Sequence, residues 1–304
     1  MPFEANGVLL AVAASAFFGC GIVSARRVLV AGNPNVGAMV SILAGVPLLL
    51  ILAFLNGEFS ALGELTVVSF IVLAIAGFVH FFAGRTVQFQ AMKDIGANRA
   101  HSISNTFPIY SSLLAVAFLG EDFTLNKILA IGTIVVGAAL LSSSESESGP
   151  STRHSGLRRG VGLALLSGLL FGFSQFLTRV GVEQTTIPIT GVLISYSFAI
   201  IGFLSYFGVE GSKGELSISA VRKGLGGFAL SGLFIALAQV CSYTALTYTQ
   251  VTVVSPVLGS QGLFTILFSY FIIKRLEVFT SRVLSGALLV VAGIVLLYLP
   301  SLAV

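Results

Sequence analysis

The feature that most constrains this chain is its run of apolar blocks, each about twenty residues long, nearly free of charge and separated by short polar breaks. About 20 apolar residues in helical conformation cross a hydrocarbon core of ~30 Å. In lipid every backbone N–H and C=O must be satisfied within the protein, which leaves helices and closed barrels as spanning structures. Barrel strands would read as ~10-residue segments of alternating polarity. The blocks here are longer and continuous, so they specify helices. Of the 304 residues, 56% are hydrophobic and 9% are charged, against roughly 25% charged in an average soluble protein. A chain of this kind is an integral, multi-pass membrane protein.

Reading blocks between breaks predicts ten helices, over 7–25, 36–55, 66–90, 97–119, 124–142, 160–178, 187–207, 225–247, 251–273 and 282–299. The longest break, "SSSESESGPSTRHSGLRRG" from Ser142 to Gly160, is rich in Ser, Gly and charge and reads as a flexible linker. It separates a first half, 1–142, from a second, 160–304, with 143–159 as the linker. The first block, "GVLLAVAASAFFGCGIVSA", has Glu4 before it and "ARR" after it, the reverse of a cleaved signal, and is expected to be a retained helix.

Ten spans put both termini on one side. The odd-numbered loops carry thirteen basic residues: Arg26, Arg27, Lys93, Arg99, Arg153, Arg158, Arg159, Lys213, Arg222, Lys223, Lys274, Arg275 and Arg282. The other side carries two, Lys127 and Arg179. The positive-inside rule then makes the odd loops and the linker cytoplasmic and both termini external, with the plasma membrane as the expected location. The positive charge is therefore a topology signal facing an anionic leaflet, and nucleic acid is not an expected partner.

The two halves resemble each other. "NPNVGAMVS" at Asn33 matches "IPITGVLIS" at Ile187, and "FQAMKDIGANRA" at Phe89 matches "YTALTYTQVTVV" at Tyr243, both at an offset of 154. "SAFFGCGIVSARR" at Ser15 matches "GLLFGFSQFLTRV" at Gly168 at an offset of 153, pairing Gly19 with Gly172 and Arg26 with Arg179. Five spans per half is an odd number, so the second half enters the membrane inverted. The expected fold is thus an all-α polytopic membrane protein, ten transmembrane helices arranged as two inverted five-helix repeats around a central cavity. Inverted repeats place a solute site near the midplane, between the halves, and suit alternating access.

The stretch "FQAMKDIGANRAHSISNTFPIYSSLLAVAFLGEDFTLNKILAIGTIVVGAALL" resembles the end of an EamA-type repeat of the drug/metabolite transporter superfamily, with its mid-helix Pro108, its "LGE" ending in Glu121 and its following glycines. The second half, "SPVLGSQGLFTILFSYFIIKRLEVFTSRVLSGALLVVAGIVLL", resembles the same pattern, except that Gly262 stands where Pro108 would align and Glu277 arrives two residues late. The resemblance spans essentially the whole chain. It implies ten helices in two repeats, with helices one, three, four, six, eight and nine lining much of a central cavity. It names no substrate, since the family carries amino acids, nucleotide sugars, sugar phosphates and drugs.

Within the spans, polar residues are few. The stretch "HFFAGRTVQFQAM" places Arg85 inside the third span with no acidic residue within a helical turn. Burying an arginine at mid-span costs ~3 kcal/mol on insertion scales, so either its head group snorkels to the interface or it faces a cavity as a cation for an anionic solute. Gln88, three residues on, shares its helical face. The offset of 154 pairs Arg85 with Gln239, Gln88 with Ser242, Phe89 with Tyr243, and His101 and Asn105 with Ser255 and Gly259. His101 and Asn105 are four apart and share a face. Candidate solute-binding residues are accordingly Arg85, Gln88, His101, Asn105, Gln239 and Tyr243. Candidate cavity or gating residues are His80, Pro108, Gln175, Tyr196, Pro256 and Gln261, and Phe81 and Phe82 are candidate aromatic walls. All twelve carboxylates map outside the cores of the spans.

The three histidines and two cysteines make no metal-ligand spacing, no Gly-rich phosphate loop appears, and no cofactor or metal is implied. The expected function is secondary-active transport, by alternating access, of a small polar or anionic metabolite such as an amino acid, by export or exchange. The alternative is a channel or a structural or regulatory membrane subunit. An enzyme would need clustered reactive groups that the spans lack. The expected partners are a small-molecule solute and the lipid bilayer, and the sequence does not choose between monomer and homodimer.

Overall fold

The computed structural model describes residues 2–29, 34–95, 97–143, 157–183, 185–209, 218–273 and 281–298. The expected linker therefore lies outside the described residues from 144 to 156. So do Lys213, Lys274, Arg275 and Glu277.

Among the described residues the chain is all helical, without strands: α1 (Pro2–Leu29), α2 (Pro34–Leu55), α3 (Val67–Gly77), α4 (Arg85–Ile95), α5 (Ala97–Ser104), α6 (Phe107–Leu119), α7 (Leu125–Ser143), α8 (Leu157–Val182), α9 (Pro188–Val209), α10 (Ile218–Tyr248), α11 (Val251–Gly259), α12 (Gln261–Ile273) and α13 (Ser281–Tyr298). A short 3₁₀ helix, Glu58–Glu64, follows α2, and a π-helical turn, Phe78–Gly84, joins α3 to α4. Among the described residues, seven helical stretches are long and apolar enough to cross a membrane, and Phe107–Leu119, Leu125–Leu141 and Leu284–Leu297 are shorter apolar helices. Pro34 and Pro188 open α2 and α9, where the missing N–H costs nothing.

Two expected spans are broken helices. The span over 97–119 stops at Ser104 and restarts at Phe107, and the span over 251–273 stops at Gly259 and restarts at Gln261. Pro108 therefore sits in the first turn of α6, not in a helix interior, whereas Pro256 lies inside α11. The span over 66–90 carries the π turn at its centre.

Side-chain contacts define two ends of the bundle. At the linker end Arg159, near the start of α8, pairs with Asp94, near the end of α4 (3.5 Å). At the far end Thr186 bonds Glu64 (3.1 Å), Lys127 bonds Gln250, and Gly7 of α1 packs on Thr249. Helix α1 thus begins at the far end, and its sequence counterpart α8 begins at the linker end.

Lipid is as apolar as leucine, so helices in a membrane associate through close packing of small residues and a few hydrogen bonds. A Cβ on Gly77 of α3 would lie 2.2 Å from the Ser195 carbonyl oxygen of α9, and one on Gly232 of α10 would lie 2.1 Å from the Ser41 carbonyl oxygen of α2. Gly19 of α1 meets the backbone of Phe264 and Thr265 in α12, and Gly172 of α8 meets Tyr110 and Ser111 in α6. In each pair the second contact is the first with the halves exchanged. The partners are 153 to 155 positions apart. Large apolar side chains such as Phe54, Leu55, Val67 and Phe118 are exposed and form the surface offered to lipid.

A polar-lined central cavity as the candidate solute site

A cavity of about 480 Å³ occupies the centre of the bundle and its linker-end half. Helices α1, α2, α4 to α8 and α10 to α12 contribute to its wall, together with the π turn. The expected set was smaller. It lacked α2, which brings Gly37, Ala38 and Ser41, and α7, which brings Leu141. Small residues on α2 are what let the wall open there.

Arg85, Gln88, His80, His101, Asn105, Gln175 and Gln261 all line this space. The π turn explains why His80 and Arg85 do so together. Five residues apart on an α-helix are about 140° apart around the axis. One inserted residue per π turn rotates the downstream helix, so both reach one cavity. Neither composition nor periodicity signals such a turn. The insertion still leaves a trace in the repeat, because Gly77 pairs with Gly232 at an offset of 155 before the turn and Arg85 pairs with Gln239 at 154 after it. The His80 ring packs on Phe81 (centroids 4.6 Å) and Phe171 (5.0 Å).

Arg85 makes no ion pair or hydrogen bond with a described residue. It lies within electrostatic reach of His80 and Tyr196, and among the described residues no Asp or Glu lines the cavity. Nearby are buried polar atoms without a partner among the described residues: Asn105 Oδ1, Gln175 Oε1 and Ser231 Oγ. A buried unsatisfied polar group costs ~1–3 kcal/mol, so these atoms favour whatever hydrogen-bonds them. The other face of the site is aromatic, from Phe89, Phe107, Phe171 and Phe228. The expected walls Phe81 and Phe82 are not part of it. Phe81 is buried and packs edge-on against Tyr196 (4.9 Å), and Phe82 packs against Phe203 (5.2 Å).

The structure keeps Gln239, Tyr243, Tyr196, Pro108 and Pro256 out of the cavity lining. Gln239, Tyr243 and Tyr196 are buried in the other half of the bundle, toward the far end. Tyr243 OH donates to Ser195 Oγ (2.9 Å) and lies beside Thr178. Pro108 and Pro256 are buried in helix packing, and Pro108 Cγ faces Gly259.

Two carboxylates that the sequence placed merely outside the spans cap helix starts at the far end. Gly120 (φ 64°) ends α6 and turns the chain so that Glu121 reaches α11, where Oε1 accepts from Val251 N (2.8 Å) and Oε2 from Thr252 N (2.9 Å). Glu58 does the same for α9, accepting from Ile189 N (3.1 Å) and Thr190 N (2.6 Å). A carboxylate over free N–H groups at a helix start satisfies donors and complements the dipole. Both residues are over 90% buried, at 8% and 6% exposure.

A bundle of apolar helices around a polar-lined central cavity is the architecture expected of a membrane transporter. The chain belongs to the EamA-like transporter family, whose model matches it twice, over residues 5–143 and 158–299. An uncharacterized transporter of Archaeoglobus fulgidus is 24% identical over 237 residues, which is 76% of this chain and 77% of that protein. A solved crystal structure of another protein aligns with a TM-score of 0.77 over 99% of this chain and 100% of that one, at 12% identity. That likeness speaks for the fold alone. Family and relative alike point to a transporter and not an enzyme, an integral membrane protein whose partners are a small-molecule solute and lipid.

Proposed function

We propose that the protein is a secondary-active carrier of a small polar or anionic metabolite, such as an amino acid or related compound, working by alternating access in export or exchange. On this reading ten membrane-crossing segments form two inverted repeats, 1–142 and 160–304, and the linker 143–159 is cytoplasmic. The exchanged contact pairs Gly77–Ser195 and Gly232–Ser41 support a two-fold relation between the halves, and the opposite ends at which α1 and α8 begin support its inversion. The basic residues of the odd-numbered loops support a cytoplasmic linker end and external termini, and the membrane on this reading is the plasma membrane.

The observation that carries the substrate class is Arg85, a guanidinium lining the cavity with no acidic partner among the described residues. A unit-charge pair at about 4 Å is worth roughly 4 kcal/mol at an effective dielectric of 20, which offsets the ~3 kcal/mol cost of placing arginine there. Gln88, Gln261, Asn105 and His101 supply neutral polar contacts around it. The burial of Thr178, Ser195, Gln239, Ser242 and Tyr243 outside the cavity lining counts against a continuous channel. The reading is tested by counterflow into proteoliposomes with a panel of anionic, zwitterionic, neutral and cationic metabolites. It expects anionic or zwitterionic solutes to exchange and Arg85→Ala to abolish that exchange. Transport of cations alone, or equal transport by Arg85→Ala, overturns it.

A further inference from the structure

The cavity wall near the linker end is built partly from Ala25, Ser41, Arg85, Gln88 and Phe89. Their counterparts in the second half, at offsets of 153 and 154, are Thr178, Ser195, Gln239, Ser242 and Tyr243. These five converge. All lie in the far half of α8, α9 and α10, at 2%, 0%, 1%, 0% and 3% exposure. Tyr243 OH donates to Ser195 Oγ (2.9 Å) and lies beside Thr178.

This cluster is chemically odd for a core. Gln239 Nε2 and Ser242 Oγ are buried with no hydrogen-bond partner among the described residues, and so is the neighbouring Tyr196 OH. Each such group carries a desolvation penalty that an apolar residue of the same shape would avoid. A polar cluster left incomplete in this state is accounted for if another state hydrates it.

Resting on the carrier reading above, we propose that Thr178, Ser195, Gln239, Ser242 and Tyr243 form the solute-facing wall of the alternate state, open at the far end, and that Glu121 is the latch holding that wall shut. In an inverted repeat the two halves exchange conformations, so the surface one half exposes on one side is what the other half exposes on the opposite side. None of these five side chains is charged, and the neighbouring Arg179 is engaged by Glu183 and the Leu246 carbonyl. The solute anion leaves Arg85 for an uncharged, hydroxyl- and amide-lined surface. The latch ties the loop after α6 to the start of α11 across the halves through two charge-assisted hydrogen bonds, and α11 cannot move away from that loop without breaking them. The counterpart of Glu121, Glu277, lies outside the described residues.

The test uses full-length protein with Cys20 and Cys241 replaced by Ala, carrying one of S242C, T178C or S195C. S242C and S195C exchange one γ-oxygen for sulfur, and T178C replaces two γ atoms with one. Sealed vesicles of each orientation are treated with a charged, membrane-impermeant methanethiosulfonate, with D122C and R159C as markers of the far and linker ends. The expected result is slow modification of all three positions from the far-end side only. Glu121→Ala removes both bonds and should accelerate it roughly a hundredfold, since each charge-assisted hydrogen bond is worth at least about tenfold. Glu121 kept intact gives the same far-side reaction at the slower rate, so the outcome does not depend on that variant folding. Vesicles that exchange solute while all three cysteines stay unreactive from the far side, or react only from the linker side, overturn the proposed wall. If far-side reaction occurs in a protein that exchanges no solute, the wall stands and the carrier reading falls.

Discussion

Asn105 Nδ2 donates to the carbonyl oxygen of Gly259 at 3.0 Å, joining two residues 154 positions apart. That separation is the one that relates the two halves of the sequence, so the bond links a position to its own counterpart. Each residue also marks a helix break: Asn105 comes just after the end of α5, and Gly259 is the last residue of α11. A helix that stops in mid-membrane leaves carbonyls unsatisfied, and the amide answers one of them.

Asn105→Ala should therefore destabilise the bundle by about 1–3 kcal/mol, the cost of orphaning a buried acceptor. Asn105→Asp should be worse, because a carboxylate opposes the carbonyl. Unfolding curves in mixed detergent micelles measure both. A change below the error of the curves for both variants would mean that the bond carries little of the stability.

Arg85→Ala should separate function from stability. Losing the guanidinium removes a charge-assisted contact and weakens anionic solute binding by tenfold or more. It also removes an unpaired cation whose burial costs ~3 kcal/mol. The variant should be inactive in counterflow and at least as resistant to unfolding as the parent. Arg85→Lys keeps the charge and loses the planar fork, so it should fall between the two.

Gly77→Ala and Gly232→Ala should each cost several kcal/mol and sharply reduce the yield of folded protein, because the new Cβ would sit 2.2 Å or 2.1 Å from a backbone carbonyl oxygen that cannot move alone. Gly262→Ala, with nothing within 4 Å of its Cβ, should be neutral within ~0.5 kcal/mol. Size-exclusion profiles of the three variants in parallel test the contrast.

That open space makes Gly262 a plug site. Gly262→Trp should fill part of the cavity and stop exchange while leaving the unfolding midpoint close to that of the parent. Continued exchange with the tryptophan in place would move the solute path away from this cavity.

Much of the arrangement is readable in the residues. The apolar blocks give the helices, the matches at 153 and 154 give the internal relation, and Arg85, Gln88 and Asn105 are conspicuous because polar groups in lipid are costly. The π turn is less readable, since an inserted residue leaves no mark in hydropathy and shows only as a one-residue shift in offset around Phe78–Gly84. The breaks at Asn105 and Ser260 look like continuous helix in an apolar pattern. Gln239 and Tyr243 matched cavity residues by offset, yet they lie on the shut side. Sequence equivalence in two inverted halves does not mean the same exposure in one conformation.

The sequence by itself determined that this chain is a multi-pass helical membrane protein with a repeated half, because the length of an apolar block and the spacing of matched residues are local quantities. Only the tertiary structure decided which polar residues share a space. Glu58 and Glu121 read as loop carboxylates, and they became buried caps because folding brought the starts of α9 and α11 to them. Whether a polar side chain meets water, a helix end or nothing depends on helices more than a hundred residues away. That is settled by packing between the halves.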